Sequence, residues 1–238
     1  MSDLLQVDGV TAGYAGNVVL EQVSLALPQN SSIALLGRNG VGKTTLLATI
    51  MGLTRIEAGN VSFDGKDLSD VPTHGRAELG IGYVPQEREI FQSLTVHENL
   101  KVAVRNGEWT PDRIYDLFKP LAQRRGNYGN QLSGGEQQML AVGRALVSNP
   151  KVLLLDEPFE GLAPVIVDQM VDALESIRKV TQLAMILVEH HAEIALEFAS
   201  SAVILDKGQV VFNGASKELR DDPDKLGNLI GLEEEARP

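Results

Sequence analysis

The sequence predicts an α/β fold carrying a small inserted helical lobe, and three features predict it. Ser32 to Leu36 is an apolar run that enters a glycine-rich loop, Gly37 to Gly42, after which Leu46, Leu47 and Ile50 recur at helical spacing. Short apolar runs at Ile81–Val84, Val152–Leu155 and Ala184–Val188 are bounded by polar or breaker residues and separated by helical stretches. Thr95 to about Leu121 is helical in pattern with no strand signal.

Taken in order, Leu4 to Val10 reads as an edge strand. Gly13-Tyr14-Ala15-Gly16 reads as a turn, and Val18 to Leu27 as a second strand. Gly52 ends the helix after the glycine loop. Glu57-Ala58-Gly59-Asn60 reads as a turn into a strand over Val61 to Phe63, closed by Asp64-Gly65. A short helix over Thr73 to Leu79 follows Pro72. In the lobe, Val96, Leu100 and Val104 fall on one face, and Ile114, Leu117, Phe118 and Leu121 on another. Leu132 to Gln138 opens a helix through Leu146, and a further helix runs from Pro164 to Val180. Val203–Leu205 and Val210–Phe212 flank Asp206-Lys207-Gly208-Gln209, a hairpin signal. The chain from Lys217 onward reads as helical and then fraying, with Glu233-Glu234-Glu235 a solvated acidic tail.

The 238 residues, 43% hydrophobic and 22% charged, suit one large α/β domain. A net charge of −11 opposes binding to nucleic acid, which asks for a basic stripe, and opposes direct binding to anionic lipid. Membrane association is therefore expected through a protein partner. There are no cysteines, so neither a disulfide framework nor a thiolate metal site is expected. No apolar run reaches membrane-spanning length, and Met1 to Val10 carries no export signal, so a cytoplasmic location is expected.

The loop Gly37-Arg38-Asn39-Gly40-Val41-Gly42-Lys43-Thr44-Thr45 has the spacing of a phosphate loop. A polyphosphate needs many N–H donors at close range, and Gly37, Gly40 and Gly42 remove side chains that would block it. The helix beginning near Lys43 aims its N-terminal amides and dipole at the anion. Lys43 reaches the terminal phosphates, and the Thr44 hydroxyl can ligate Mg²⁺. Asp156, at the end of Val152–Leu155, is placed to hold Mg²⁺, and Glu157 to polarise a water aimed at the γ-phosphate. Ser133-Gly134-Gly135 at a helix start is either a capping serine with a glycine turn or a second anion cradle. One nucleotide site does not need two cradles, unless the second serves a neighbouring copy. His74, His97 and His191 read as surface residues. Trp109 reads as packing for the lobe.

Over nearly its whole length the chain resembles the ATP-binding subunits of ATP-binding-cassette (ABC) transporters. Gly37 to Thr45 matches their Walker A loop, Gln86 the Q-loop glutamine, and Leu132 to Gln138 the signature. Val152 to Glu157 matches Walker B, Gly161-Leu162-Ala163-Pro164 the D-loop, and His190 the switch histidine. The resemblance implies a phosphate-loop NTPase cassette spanning residues 1–238. It would have an N-terminal antiparallel β subdomain, a core over 1–86 and 133–238, and a helical lobe over about 87–132. It implies ATP and Mg²⁺ as cofactors. Tyr14 would stack on adenine, Gly37, Asn39, Gly40, Gly42, Lys43, Thr44 and Thr45 would hold the phosphates, and Thr44, Gln86 and Asp156 would face the metal. Glu157 would be the general base, His190 a γ-phosphate contact, and Gln86 the link to the membrane partner. Two copies would close head to tail, with Ser133, Gly134 and Gly135 of one on the nucleotide of the other. The implied partners are a second ATP-binding subunit, identical or paralogous, integral membrane permease subunits and, indirectly, a solute-binding protein. The place would be the cytoplasmic face of the inner membrane.

Arg38 to Gly42, Ile50-Met51-Gly52-Leu53, Glu89-Ile90-Phe91 and Gly161 to Pro164 resemble the importers of branched-chain amino acids and their urea and amide relatives. Phe159-Glu160 and Glu189-His190-His191 depart from the commonest wording of those importers. The alternatives are a lipopolysaccharide-type exporter ATPase and a soluble cassette ATPase without a transport role.

Overall fold

A computed structural model describes residues 3–231; the acidic run Glu233-Glu234-Glu235 lies outside the described residues. The elements in chain order are β1 (Leu5–Tyr14), β2 (Asn17–Leu27), β3 (Ser32–Leu36), α1 (Lys43–Met51), β4 (Arg55–Phe63), β5 (Lys66–Asp67), α2 (Thr73–Leu79) and β6 (Ile81–Val84). Then come α3 (Val96–Lys101), α4 (Pro111–Leu117), α5 (Lys119–Gln123), a single 3₁₀ turn (Gly129–Gln131), α6 (Gly134–Leu146), β7 (Val152–Asp156) and α7 (Pro164–Val180). The chain closes with β8 (Ala184–Val188), α8 (Ala192–Phe198), β9 (Ser201–Asp206), β10 (Gln209–Ala215), α9 (Ser216–Arg220) and α10 (Pro223–Ile230). They form two compact units, residues 3–78 with 184–231, and residues 79–183.

The first unit holds an antiparallel sheet in the order β2-β1-β4-β5. In its other sheet, β3 runs parallel to β8 on one side and to β9 on the other, and β10 is antiparallel to β9. β3 and β8 are buried at every position. This is why they read as unbroken apolar runs rather than alternating ones. The second unit holds the parallel pair β6 and β7, also apolar, with α3 to α7.

Two expectations are corrected here. Leu4 to Val10 is not an edge strand: β1 continues to Tyr14 and lies between β2 and β4. Glu57 to Asn60 is not a turn, because β4 runs through it. The register of β1 against β4 slips between Asp8 and Thr11, where Gly9 and Gly59 both have positive φ. A Cβ at 59 would stand 2.4 Å from the carbonyl oxygens of Asp8 and Gly9. Gly59 therefore marks a bulge where two backbones touch, a pattern that in sequence is indistinguishable from a turn.

The lobe segment breaks into three short helices. α3 opens with a reciprocal cap between Thr95 and Glu98, and α4 opens on Thr110 with Pro111 in its first turn. Because α3 stops at Lys101, Val104 does not share a face with Val96 and Leu100; it is exposed, and they are buried. Asn99 is buried and pins the preceding loop. Its amide nitrogen donates to the carbonyls of Phe91, Leu94 and Thr95, and its oxygen accepts from the Phe91 N–H. Asn149 does the same for the loop before α4. Its Nδ2 donates to Arg105 and Trp109 carbonyls at 3.0 and 3.2 Å, and its Oδ1 accepts from the Trp109 N–H at 2.7 Å. Trp109 is buried, with the Arg113 guanidinium over its ring. His97 is on the surface as expected, though its ring shares a hydrogen bond with the Tyr115 hydroxyl.

Candidate nucleotide site

In the first unit, β3 delivers the chain into the glycine loop and α1 begins at Lys43. Gly42 is the N-cap residue, with φ 113°, and no side chain caps the helix. No acidic residue stands in its first turn. The N-terminal amides of α1 thus meet no carboxylate from the helix itself, which suits an anion. Gly37 has φ 142°, and a Cβ there would lie 2.3 Å from the Leu205 carbonyl oxygen. Lys43 is almost fully buried, and its Nζ donates to the carbonyls of Gly37 and Arg38 at 2.9 and 3.0 Å. The amine is therefore held over the loop before any phosphate arrives.

Arg38, Asn39, Gly40 and Thr44 are exposed, while Thr45 is buried. Tyr14 closes β1 at the β1–β2 hairpin and is 43% exposed. His190 follows β8 and is exposed; its N–H donates to the Glu189 carboxylate at 3.1 Å. His191 sits exposed at the start of α8.

Two residues whose contacts the sequence did not reveal support the glycine loop and α1 within the first unit. Gly208, in the β9–β10 turn, donates its N–H to the Val41 carbonyl at 3.0 Å and accepts from the Glu21 N–H at 2.8 Å. It ties the glycine loop to β2. The Lys207-Gly208 pair was legible as a hairpin turn, and nothing in the pattern signals what the turn touches. Arg76 on α2 is the other. Its guanidinium donates to the carbonyls of Thr49 and Ile50 at the far end of α1, and to those of Leu68 and Val71. Burial pushes this guanidinium below its ordinary pKa.

In the second unit, β7 ends at Asp156, which is fully buried and accepts from the Tyr83 hydroxyl at 3.4 Å. Glu157 follows in the left-handed region at φ 48°, a conformation that costs free energy in a non-glycine residue. The Glu160 N–H donates back to the Glu157 carbonyl at 3.2 Å, closing a tight turn. The Gln86 amide nitrogen, reaching from the loop after β6, donates to Glu157 at 3.2 Å and to Glu160 at 2.5 Å. The fold thus brings Gln86 and Glu157 into direct contact.

Ser133 caps α6: its Oγ accepts from the Glu136 N–H at 3.3 Å, and the Glu136 carboxylate accepts from the Ser133 N–H at 2.8 Å. Burial acts to raise the Glu136 pKa, but the bonds from Ser133 and the nearby Arg124 outweigh it, and the carboxyl sits below the ordinary range. Ser133 and Gly134 are exposed. A Cβ at Gly135 would lie 2.8 Å from the Ile166 side chain, so α6 and α7 meet there. Both readings of this segment are compatible with the geometry, because a capping serine at an open helix start also presents N–H groups outward. The Thr44 hydroxyl in the first unit, and the Asp156 carboxylate and Gln86 amide oxygen in the second, are each hard oxygen donors of the class that suits Mg²⁺.

A glycine loop running from a buried parallel strand into a helix, with a second apolar strand ending in Asp-Glu, defines an α/β phosphate-loop NTPase. The chain belongs to the ABC transporter family, whose model matches residues 20–160, and is an ATP-binding subunit with ATPase activity. It is 39% identical over 221 residues to the probable branched-chain amino acid transport ATP-binding protein LivF of Archaeoglobus fulgidus, covering 91% of this chain and 94% of the relative. It is 35% identical over 227 residues to the lipopolysaccharide export system ATP-binding protein LptB of Haemophilus influenzae, covering 92% and 93%. A solved structure of cbiO1 from Clostridium perfringens, part of the ABC transporter complex cbiONQ, superposes with a TM-score of 0.80 at 26% identity, covering 96% of each chain. Among the described residues no helix is long and apolar enough to cross a membrane.

Proposed function

We propose that this chain energises an importer of branched-chain or related hydrophobic amino acids, with urea and amides as neighbouring substrate classes. It would work at the cytoplasmic face of the membrane, bound to permease subunits and served indirectly by a solute-binding protein. The observation that carries the substrate class is the 39% identity to the Archaeoglobus protein, added to the importer-like phrases at Arg38–Gly42 and Gly161–Pro164. A lipopolysaccharide-type exporter is the second reading, favoured by the 35% relative from Haemophilus. Purification from membranes with the associated subunits separates the two: an amino-acid permease supports the first, and export-system membrane proteins overturn it.

In the proposed mechanism, Tyr14 stacks on the base. The loop amides and Lys43 bind the phosphates, with Gly37, Asn39, Gly40, Gly42, Thr44 and Thr45 forming the cradle. Thr44, Asp156 and Gln86 would hold Mg²⁺, which neutralises phosphate charge when bound. Glu157 accepts the proton of the attacking water, and His190 meets the γ-phosphate. Ser133, Gly134 and Gly135 of a second copy close over the nucleotide, so that hydrolysis needs two chains. Gln86 and the loop Asn99 pins pass this closure to the permease.

Glu157→Gln tests the site. Glutamine keeps the shape but cannot take a proton, so hydrolysis falls about 10²–10⁴-fold while ATP binding survives. The variant accumulates as an ATP-bound dimer in light scattering, and adding Ser133→Arg abolishes that dimer. Hydrolysis at the native rate in Glu157→Gln overturns the base assignment. A dimer indifferent to Ser133→Arg overturns the shared cradle.

A further inference from the structure

We infer that Glu160 is a positioning residue that sets the orientation of the Gln86 amide. The inference rests on the reading of Gln86 given above and goes one step beyond it. A carboxamide carries two donors on nitrogen and an acceptor on oxygen, and it can flip between two nearly isosteric states. What decides the state is the set of partners. Here the Gln86 nitrogen faces two carboxylates, Glu157 at 3.2 Å and Glu160 at 2.5 Å. A carboxylate only accepts, so the flipped amide would bring its own oxygen against two acceptors and lose both bonds. With both N–H groups spent on one side, the Oε1 of Gln86 is left as an acceptor-side atom, the atom a hard cation or a water proton requires.

Glu160 is the stronger of the two anchors. Its contact is the shorter of the two. Glu157 alone is a poor anchor for Gln86, because the same carboxylate must also be available to water. The local chain explains how residue 160 reaches. Glu157 in the left-handed region, with the 160 N–H returned to the 157 carbonyl, curls the segment so that both side chains reach one nitrogen. Gly161, at φ 67°, lets the chain leave this turn. Phe159, between the two acids, is buried and fixes the turn to the core of the unit. Glu160 is also one of the two positions at which Phe159-Glu160 departs from the commonest importer wording.

The test is a double-mutant cycle with a readout separate from turnover. In the full chain, Mn²⁺ retention in the ATP complex is measured by electron paramagnetic resonance, alongside the Mg²⁺ concentration for half-maximal ATPase. Glu160→Ala should weaken Mn²⁺ retention and raise the Mg²⁺ requirement about three- to tenfold, with ATP affinity in the absence of metal unchanged. Glu160→Gln keeps an acceptor for Gln86 and should recover most of the loss. In a Gln86→Ala background, Glu160→Ala should add nothing. Full additivity of the two substitutions would overturn the inference, since Glu160 would then act without Gln86. A wild-type Glu160→Ala beside an impaired Gln86→Ala overturns this inference alone. A wild-type Gln86→Ala overturns the reading of Gln86 and this inference with it. Should Glu160→Ala fold poorly, Glu160→Ser, whose hydroxyl is too short to reach Gln86, carries the same outcomes in the same cycle.

Discussion

The N–H of Gly208 donates to the carbonyl of Val41 at 3.0 Å, so the β9–β10 turn is fastened to the glycine loop. Gly208 has φ 78°, and a Cβ there would lie 2.1 Å from the Val19 carbonyl oxygen. Gly208→Ala must therefore push β2 or the loop aside. The expected cost is about 1–3 kcal/mol of stability, with weaker ATP binding because the displaced loop loses its geometry. Chemical denaturation and nucleotide titration of the same variant measure the two effects. Native ATP affinity in a destabilised Gly208→Ala would show that the turn supports the fold and not the loop.

Lys43 holds the loop by two hydrogen bonds from its amine, and the same amine is proposed to meet the phosphates. ATP at a hundred times its dissociation constant should stabilise the wild type by about 2.7 kcal/mol. For a domain of this size that is a rise in melting temperature of about 5–10 °C. Lys43→Ala should abolish most of the rise. A thermal melt with and without Mg-ATP reads it, and an undiminished shift would remove the lysine from the phosphate site.

Asn149 organises the lobe through bonds to Arg105 and to both backbone groups of Trp109. Asn149→Ala leaves these groups without that partner and should cost about 1–3 kcal/mol. Trp109 is the single tryptophan of the chain, so its fluorescence reports this loop alone. A red-shifted emission is expected as the ring gains solvent. An unchanged spectrum together with unchanged stability would mean that the loop holds without its amide pin.

Glu136 reports the start of α6 through pH. Its folded-state pKa lies below the ordinary carboxylate value: burial pushes it up, and Ser133 and Arg124 together pull it further down. A depressed carboxylate contributes stability that is fully present above its unfolded pKa and is lost as pH falls through the folded value. Glu136→Gln should therefore be less stable than wild type at neutral pH, and the gap should close below the ordinary glutamate range. Denaturation from pH 3 to 7 measures the gap; a difference constant across that range would mean that the charge of Glu136 does not support the cap.

The sequence alone determined the order of most elements, because these are announced by local chemistry, while β5 and α8 were not read from it. α2, β6, α7 and β8 were legible to the residue: the hydrophobic period changes within a few positions, and Pro72 and Pro164 mark two of the starts. The glycine loop was legible for a related reason, since phosphate binding needs specific residue types at fixed spacing within one short stretch. What the sequence does not carry is partnership between distant segments. It made β1 an edge strand and Gly59 a turn, because a bulge and a turn use the same glycine and differ only in the strand alongside. It left Asn99 and Asn149 unremarked, since a polar residue declares its role only once its carbonyl partners are in place. It could place Glu157 by the strand it follows and Gln86 by resemblance, but not the contact that joins both to Glu160. That contact spans more than seventy positions, and only the folding of two separate loops against each other brings the three side chains within hydrogen-bonding reach.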